Sequence, residues 1–306
     1  MDLPAWAWIP LTVFGAFAQT VRNAAQRQLT ATVGTLGATL VRFLYGLPFI
    51  ALWLVSLLYI GDATMPAATW ALPGWLCLAA LGQMMGTVLL LRAMAERSFA
   101  IGLLYSKSEI IQVALFSAAF LGEPLTPRSG FAIILATAGA VLLSPRAPRA
   151  AGMPQRRGWI DSAALYGLGA GAAFALSIVG YRGGALSMVH TSPVLAAAAT
   201  LFWSQLIQTV VLGAWLSARR PTAILSVLRE WRASGLAGIA GATASVAGVS
   251  ALALHSAPQV RTLALVEVLF AYVVSVGVLH ETISRREAAG IVLILIALVI
   301  ITTATW

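Results

Sequence analysis

Two carboxylates stand inside apolar runs of this sequence, Glu109 and Glu267, 158 residues apart. Glu123 and Glu281 keep the same separation, as do Ser98 with Ser256 and Arg128 with Arg286. A constant offset marks an internal repeat. Each copy carries one carboxylate within an apolar segment and a second where that segment ends. An ionised carboxylate at the centre of a bilayer costs at least ~2.5–3.5 kcal/mol on insertion scales and is tolerated where it faces a cavity or a partner. Two chemistries suit such a group: receiving the ammonium of a solute, or receiving a proton. The structural alternative is neutralisation by a buried base or by hydroxyl donors.

The neighbours extend this pattern. Tyr105, Ser106 and Gln112 lie at i−4, i−3 and i+3 from Glu109 and share its helical face. Lys107, the sole lysine, leaves the helix about 200° away from Glu109 and either meets a substrate carboxylate or reaches for the interface. Thr12, Gln19, Asn23 and Gln26 form a second polar stripe, with Arg22 beside it, and Gln83 with Thr87 a third. Uncharged amides at such spacing bind a zwitterion or another helix. Gln205, Gln208 and Thr209 read as interhelical glue. Phe14, Phe17, Phe174 and Tyr181 either line a cavity or face lipid or core.

Several chemistries have no residues to perform them. His190, His255 and His280 are far apart, which argues against a metal site. The single cysteine, Cys77, excludes an intramolecular disulfide and reads as a small buried packing residue. There is no phosphate-binding glycine loop, HExxH or GxSxG, so no cofactor, ATP motor or enzymatic activity is expected.

The elements that position these residues follow from composition. The 306 residues are 60% hydrophobic and 9% charged, with mean hydropathy +0.90. Soluble proteins carry about 25% charged residues, so the solvent of this chain is lipid. Ten apolar segments run at roughly 5–25, 34–60, 69–91, 100–121, 128–144, 160–181, 190–216, 233–254, 259–279 and 286–304. They are called spans one to ten. Helices are the element expected, because lipid cannot satisfy an open backbone. The proline- and arginine-rich stretch 145–158 separates a first repeat, 1–144, from a second, 159–306. Five spans per repeat is odd, so two full repeats insert upside down relative to each other. The expected fold is therefore an all-α polytopic membrane protein of ten transmembrane helices. Its two inverted five-helix repeats surround a central cavity with its site near the midplane. A monomer is expected.

The net charge is +9, yet 18 of the 19 basic residues are arginines punctuating apolar segments, which points to membrane orientation and away from nucleic acid. The odd-numbered loops hold 14 arginines, Arg22 among them, and the even loops hold Arg128, Arg182 and Arg261. The positive-inside rule then places both termini outside. The N-terminal segment lacks a basic leader and reads as span one, not as a cleaved signal. Trp6, Trp8, Trp70, Trp75 and Trp306 read as an interfacial belt. Glu123 and Glu281 read as structural residues of tight hairpins, with Thr126 and Ser284 capping the helix that follows.

Leu121-Gly122-Glu123-Pro124-Leu125-Thr126, followed by the glycine- and alanine-rich run 130–143, resembles the repeat signature of the EamA type of the drug/metabolite transporter superfamily. The second repeat resembles it more loosely, with His280-Glu281-Thr282 in place of Gly-Glu-Pro. The resemblance implies a basket of ten helices in a bacterial inner membrane, with a cavity lined by spans one, three, four, six, eight and nine. Those spans contain Gln19, Gln83, Glu109, Tyr181 and Glu267. It also implies secondary export of small metabolites, often amino acids including aromatic ones. Relatives usually keep both termini in the cytoplasm, the reverse of the arginine count. The expectation is an alternating-access exporter of amino acids, with protons as a possible coupling partner. The rivals are an exporter of drugs or cationic dyes, an uncoupled facilitator, a lipid-modifying intramembrane enzyme and a structural scaffold.

Overall fold

A computed structural model describes residues 3–96, 108–143, 162–270 and 284–303, and nearly all of this backbone is helical. The first helix, α1, runs for 53 residues from Trp8 to Ile60. Two spans with a loop between them were expected here. No proline interrupts the sequence between Pro10 and Pro48, so the helix continues and only kinks, at Gly34 with φ 70° and ψ 173°. That conformation is open to glycine and strained for other residues. α1 therefore has two arms that together supply spans one and two.

α2 (Leu72–Glu96) follows. α3 (Glu109–Leu121) and α4 (Pro127–Leu143) form the hairpin of the first-repeat signature. Gly122 ends α3 in the left-handed region, φ 65°. α4 opens on Pro127, with Thr126 Oγ1 accepting from the Ser129 N–H at 3.2 Å, as the sequence predicts for a cap. α5 (Ser162–Leu186), α6 (Pro193–Arg219), α7 (Pro221–Arg229), α8 (Trp231–Leu254), α9 (Ala257–Leu263) and α10 (Arg285–Thr303) complete the order. Ser284 caps α10 in a reciprocal box: its Oγ accepts from the Glu287 N–H at 3.3 Å and its own N–H donates to Glu287 Oε2 at 2.8 Å. α7 occupies what reads as a loop. It buries Val227 against Leu29, Val33, Val41 and Ala237. Two-residue strands, β1 (Ala67–Ala68) and β2 (Met188–Val189), pair antiparallel between the α1–α2 and α5–α6 connections.

Among the described residues six helices are long and apolar enough to cross a membrane, including Thr32–Ile60, Pro193–Arg219 and Trp231–Leu254, and α3 and α4 are shorter apolar helices. Ten complete spans are not traced, because spans four and nine extend into residues outside the described ones. The main helix contacts pair the two halves of the chain: α1 with α8, α2 with α5, and α4 with α10. Glycine makes the last contact possible. A Cβ at Gly139 would stand 2.8 Å from the Gly290 carbonyl oxygen, and one at Gly290 2.9 Å from that of Gly139. Close backbone approach of this kind replaces the hydrophobic force that lipid does not supply.

Two packing expectations are corrected. Trp8 is only 1% exposed and packs against His255 in a tilted arrangement with ring centroids 4.5 Å apart, so it is core and not interfacial belt. Cys77, on α2, is exposed and so is not a buried packing residue. Trp6 and Trp70 are exposed, as interfacial residues would be.

Candidate functional site

The helices that pair across the two halves surround a partly open cavity of about 220 Å³. Its wall comes from the expected spans one, three, four, six, eight and nine, with one addition, Arg42 from the second arm of α1. Among the described residues five charged ones line it: Arg22, Arg42, Arg261, Glu109 and Glu267. Three guanidinium groups against two carboxylates leave a formal charge of 3 − 2 = +1.

Both carboxylates occupy the same local position. Glu109 is the first residue of α3. Glu267 follows a turn at 264–265 that separates α9 from a helical stretch at 266–270. Continuous helices around both were expected; in the second repeat the helix is broken just before the carboxylate. Each acid thus lies in the first turn of a helical segment; around Glu267 the turn keeps the backbone paired, with the Glu267 and Val268 N–H groups donating to the Ala264 and Leu265 carbonyls at 3.1 and 2.9 Å.

Arg261 forms an ion pair with Glu109: Nη2 donates to Oε2 at 3.2 Å, and Nε stands 2.6 Å from Oε1 without hydrogen-bonding to it. Glu109 is therefore neutralised by a base from the other repeat, which is the structural alternative that the sequence left open. Glu267 accepts from Gln19 Nε2 at 2.8 Å, and this bond also joins the two repeats. Arg22 is 8% exposed and lies within electrostatic reach of Glu267, Arg42 and Arg261. The stems of Arg22 and Arg42 both pass over Gly241 of α8, at 3.4 and 3.5 Å from the position a Cβ would take. At Gln83 the amide must suit Arg42, which only donates. Its oxygen accordingly accepts from Arg42 Nη1 at 3.2 Å, and its NH2 donates to Tyr181 Oη at 2.7 Å. Gln208 abuts both, 3.2 Å from the Gln83 amide and 3.4 Å from Tyr181 Oη.

Of the expected site residues, Gln19, Gln83, Glu109, Tyr181 and Glu267 meet in this cavity. Gln112 does not, although it shares a helical face with Glu109: its Nε2 donates to Ser108 Oγ at 2.9 Å and to the Leu168 carbonyl of α5 at 3.5 Å. Tyr105, Lys107 and the side chain of Asn23 lie outside the described residues. Phe174 lines the wall, whereas Phe14 and Phe17 are about half exposed on the outer surface. Gln205 is interhelical glue, donating to the Phe43 carbonyl at 3.2 Å.

One end of the cavity, beside Tyr181 and Leu252, is tied by a second ion pair. Glu123 Oε1 accepts from Arg182 Nε at 2.8 Å, and its Oε2 accepts from the Ala257 N–H at 3.1 Å. Arg182 Nη1 donates to the Leu252 and Ala253 carbonyls at 2.7 and 3.1 Å. Glu123 thus reaches beyond its own hairpin and fastens α3 to α5 and to the α8–α9 junction. The Glu281 hairpin lies outside the described residues.

Sequence reasoning missed three residues of this site. Arg22 and Arg261 count as loop arginines in the sequence, and Arg42 falls within span two, where the spacing gives it no role. The available signal was their position: all three lie in or at the edge of apolar segments, where an arginine needs a partner or water.

The EamA-like transporter family matches this chain twice, over residues 6–144 and 161–303. No curated protein matches. Among the solved structures, 28 chains match. One, titled "Crystal structure of protein", has 18% sequence identity and a TM-score of 0.62 over 98% of this chain and 94% of that one. That likeness concerns the fold. The two family matches together span most of the sequence, and the chain belongs to the EamA-like transporter family: it is a multi-pass membrane transporter of small solutes.

Proposed function

We propose that this EamA-like transporter exports small zwitterionic metabolites, amino acids first, by alternating access at the cavity between its repeats. The observation that carries the proposal is one cavity crossed by polar contacts between the two repeats: the Glu109–Arg261 ion pair, and the hydrogen bond from the Gln19 amide to Glu267. Interactions that cross the repeat interface are the ones that rocking one repeat against the other would break and remake. Solute enters among them and its charged ends compete with them. Glu267 receives the ammonium group or a coupling proton, and the guanidinium side of the cavity faces the carboxylate.

Size and charge support a small metabolite over a drug or dye. Drug-sized ligands occupy pockets of roughly 300–1,000 Å³, and this cavity is about 220 Å³. A cationic dye would also enter a space that already has an excess positive charge. The test is counterflow of radiolabelled amino acids in proteoliposomes, wild type beside Glu267→Gln. The expected result is exchange by wild type that drops at least about tenfold in the variant, the scale of one charge-assisted hydrogen bond. Exchange of cationic dyes but not of amino acids would overturn the substrate assignment. Unchanged exchange in Glu267→Gln would remove the cavity from the transport path.

A further inference from the structure

Among the charged cavity residues, Arg42 stands apart. Glu109 pairs with Arg261 and Glu267 lies in reach of Arg22. Arg42 has no carboxylate within ion-pair distance among the described residues; its polar partner is the neutral amide of Gln83. Its Nε is buried and has no hydrogen-bond partner. An arginine carries five donors in a fixed plane, and Nε with one Nη forms the edge that grips a carboxylate side-on. The nearby stem of Arg22, over the same glycine, brings a second positive charge toward that space. Glu267 is the carboxylate that acts on Arg22, and two like charges side by side in a low-dielectric wall favour the entry of an anion.

Arg42 is also held in place. The Gln83 oxygen accepts from both Nη1 and Nη2, occupying the end-on edge of the guanidinium, and Gln83 is itself oriented by Tyr181 and Gln208. The Gly241 surface supports the stem. A donor prepared in this way and left incomplete is what a binding site for a planar anion requires.

We propose that Arg42 is the docking group for the carboxylate of the transported solute, with Gln83 as its positioning residue. The proposal rests on the cavity being the transport site, and it adds that a carboxylate is obligatory while an ammonium is not. Solutes such as 2-oxo acids and hydroxy acids then bind alongside amino acids, and amino-acid amides and decarboxylated amines do not.

The test is ligand-dependent thermal stability of the purified protein in detergent. The probes are amino acids, 2-oxo acids, the matching amides and amines, and sodium chloride and phosphate at equal ionic strength. In wild type the carboxylates are expected to raise the unfolding temperature and the other compounds not to. Arg42→Gln should weaken carboxylate affinity about tenfold or more. Arg42→Lys, which keeps the charge without the planar edge, should fall between them, and exposed Arg92→Gln should match wild type. Gln83→Leu should weaken carboxylates while leaving the rank order among them unchanged. Size-exclusion profiles establish that the variants are folded; if Arg42→Gln is not, the comparison rests on Arg42→Lys and Gln83→Leu. Equal stabilisation by amides or by chloride, no stabilisation by any carboxylate, or variants that respond as wild type would each overturn the proposal. If the Arg42 dependence appears but Glu267→Gln exchanges amino acids normally in proteoliposomes, carboxylate docking stands and the transport reading of the cavity falls.

Discussion

Removing Arg261 should destabilise the protein more than removing Glu109, although the two form one ion pair. The pair has contacts at 2.6 and 3.2 Å, the second a hydrogen bond, with side chains 22% exposed for Arg261 and 7% for Glu109. At an effective dielectric of about 20 and a separation of ~3.5 Å, the attraction is about 5 kcal/mol before desolvation is subtracted. Charge-assisted hydrogen bonds retain about 1.5–3 kcal/mol net, so a double-mutant cycle should return a coupling in that range. The single variants differ because the groups left behind differ. Arg261→Gln strands Glu109, almost wholly buried, and should cost about 3–5 kcal/mol. Glu109→Gln leaves Arg261 more exposed and still in reach of Glu267, and should cost about half as much. The assay is reversible unfolding in mixed micelles of mild detergent and SDS, with wild type, both singles and the double variant. A coupling below about 0.5 kcal/mol, or Glu109→Gln costing more than Arg261→Gln, would refute this reasoning.

Two further outcomes follow from residues outside the cavity wall. Glu123→Gln weakens the tie among α3, α5 and the α8–α9 junction. The loss of about 1.5–3 kcal/mol corresponds to a shift of roughly 10- to 100-fold toward opening at that end, read as faster maleimide labelling of a cysteine placed at Ser177 in a Cys77→Ser background; an unchanged rate would confine Glu123 to holding its hairpin. His255, at the C-terminal end of α8, has its imidazole held below the ordinary histidine range, first by burial and then by Arg182, against weaker opposing effects of Glu123 and Gln259. A base whose folded pKa is lowered costs nothing while both states are neutral, and destabilises as pH falls below its unfolded value of about 6.5. Thermal stability should therefore drop between pH 7 and pH 5, and by less in His255→Phe, which keeps the ring against Trp8; equal drops would remove His255 from the account.

Much of the fold is legible in the sequence, because lipid leaves few options. Apolar runs of about 20 residues must be helices, the 158-residue offset exposes the repeat, and Thr126 and Ser284 mark helix starts by side-chain type alone. The polar stripe of Thr12 and Gln19 and the isolated Gln83 point into the cavity for the same reason: polar groups are costly against lipid. What escaped depends on tertiary contact. Gly34 permits a kink without ending its helix, so a loop was expected and none formed. Arg22 and Arg261 look like orienting loop charges until their partners from the other repeat appear. Glu123 looks like turn punctuation because Arg182 and the Ala257 N–H, its partners, are 59 and 134 residues away. Taking Arg22 and Arg261 out of the loop count leaves 13 arginines against 2, so the charge argument on orientation is unaffected by their burial.

The most direct measurement of the central claim, that solute binds in the cavity between the repeats, is substrate protection of a cavity cysteine. Ser245, on the α8 wall, is replaced by cysteine in a Cys77→Ser background, and its labelling by a small maleimide is timed with and without amino acids. The account predicts that amino acids which exchange in proteoliposomes slow labelling at position 245, that those which do not exchange have no effect, and that exposed Cys77 of the wild type labels at one rate throughout. Labelling at 245 that is indifferent to every exchanged amino acid would contradict it.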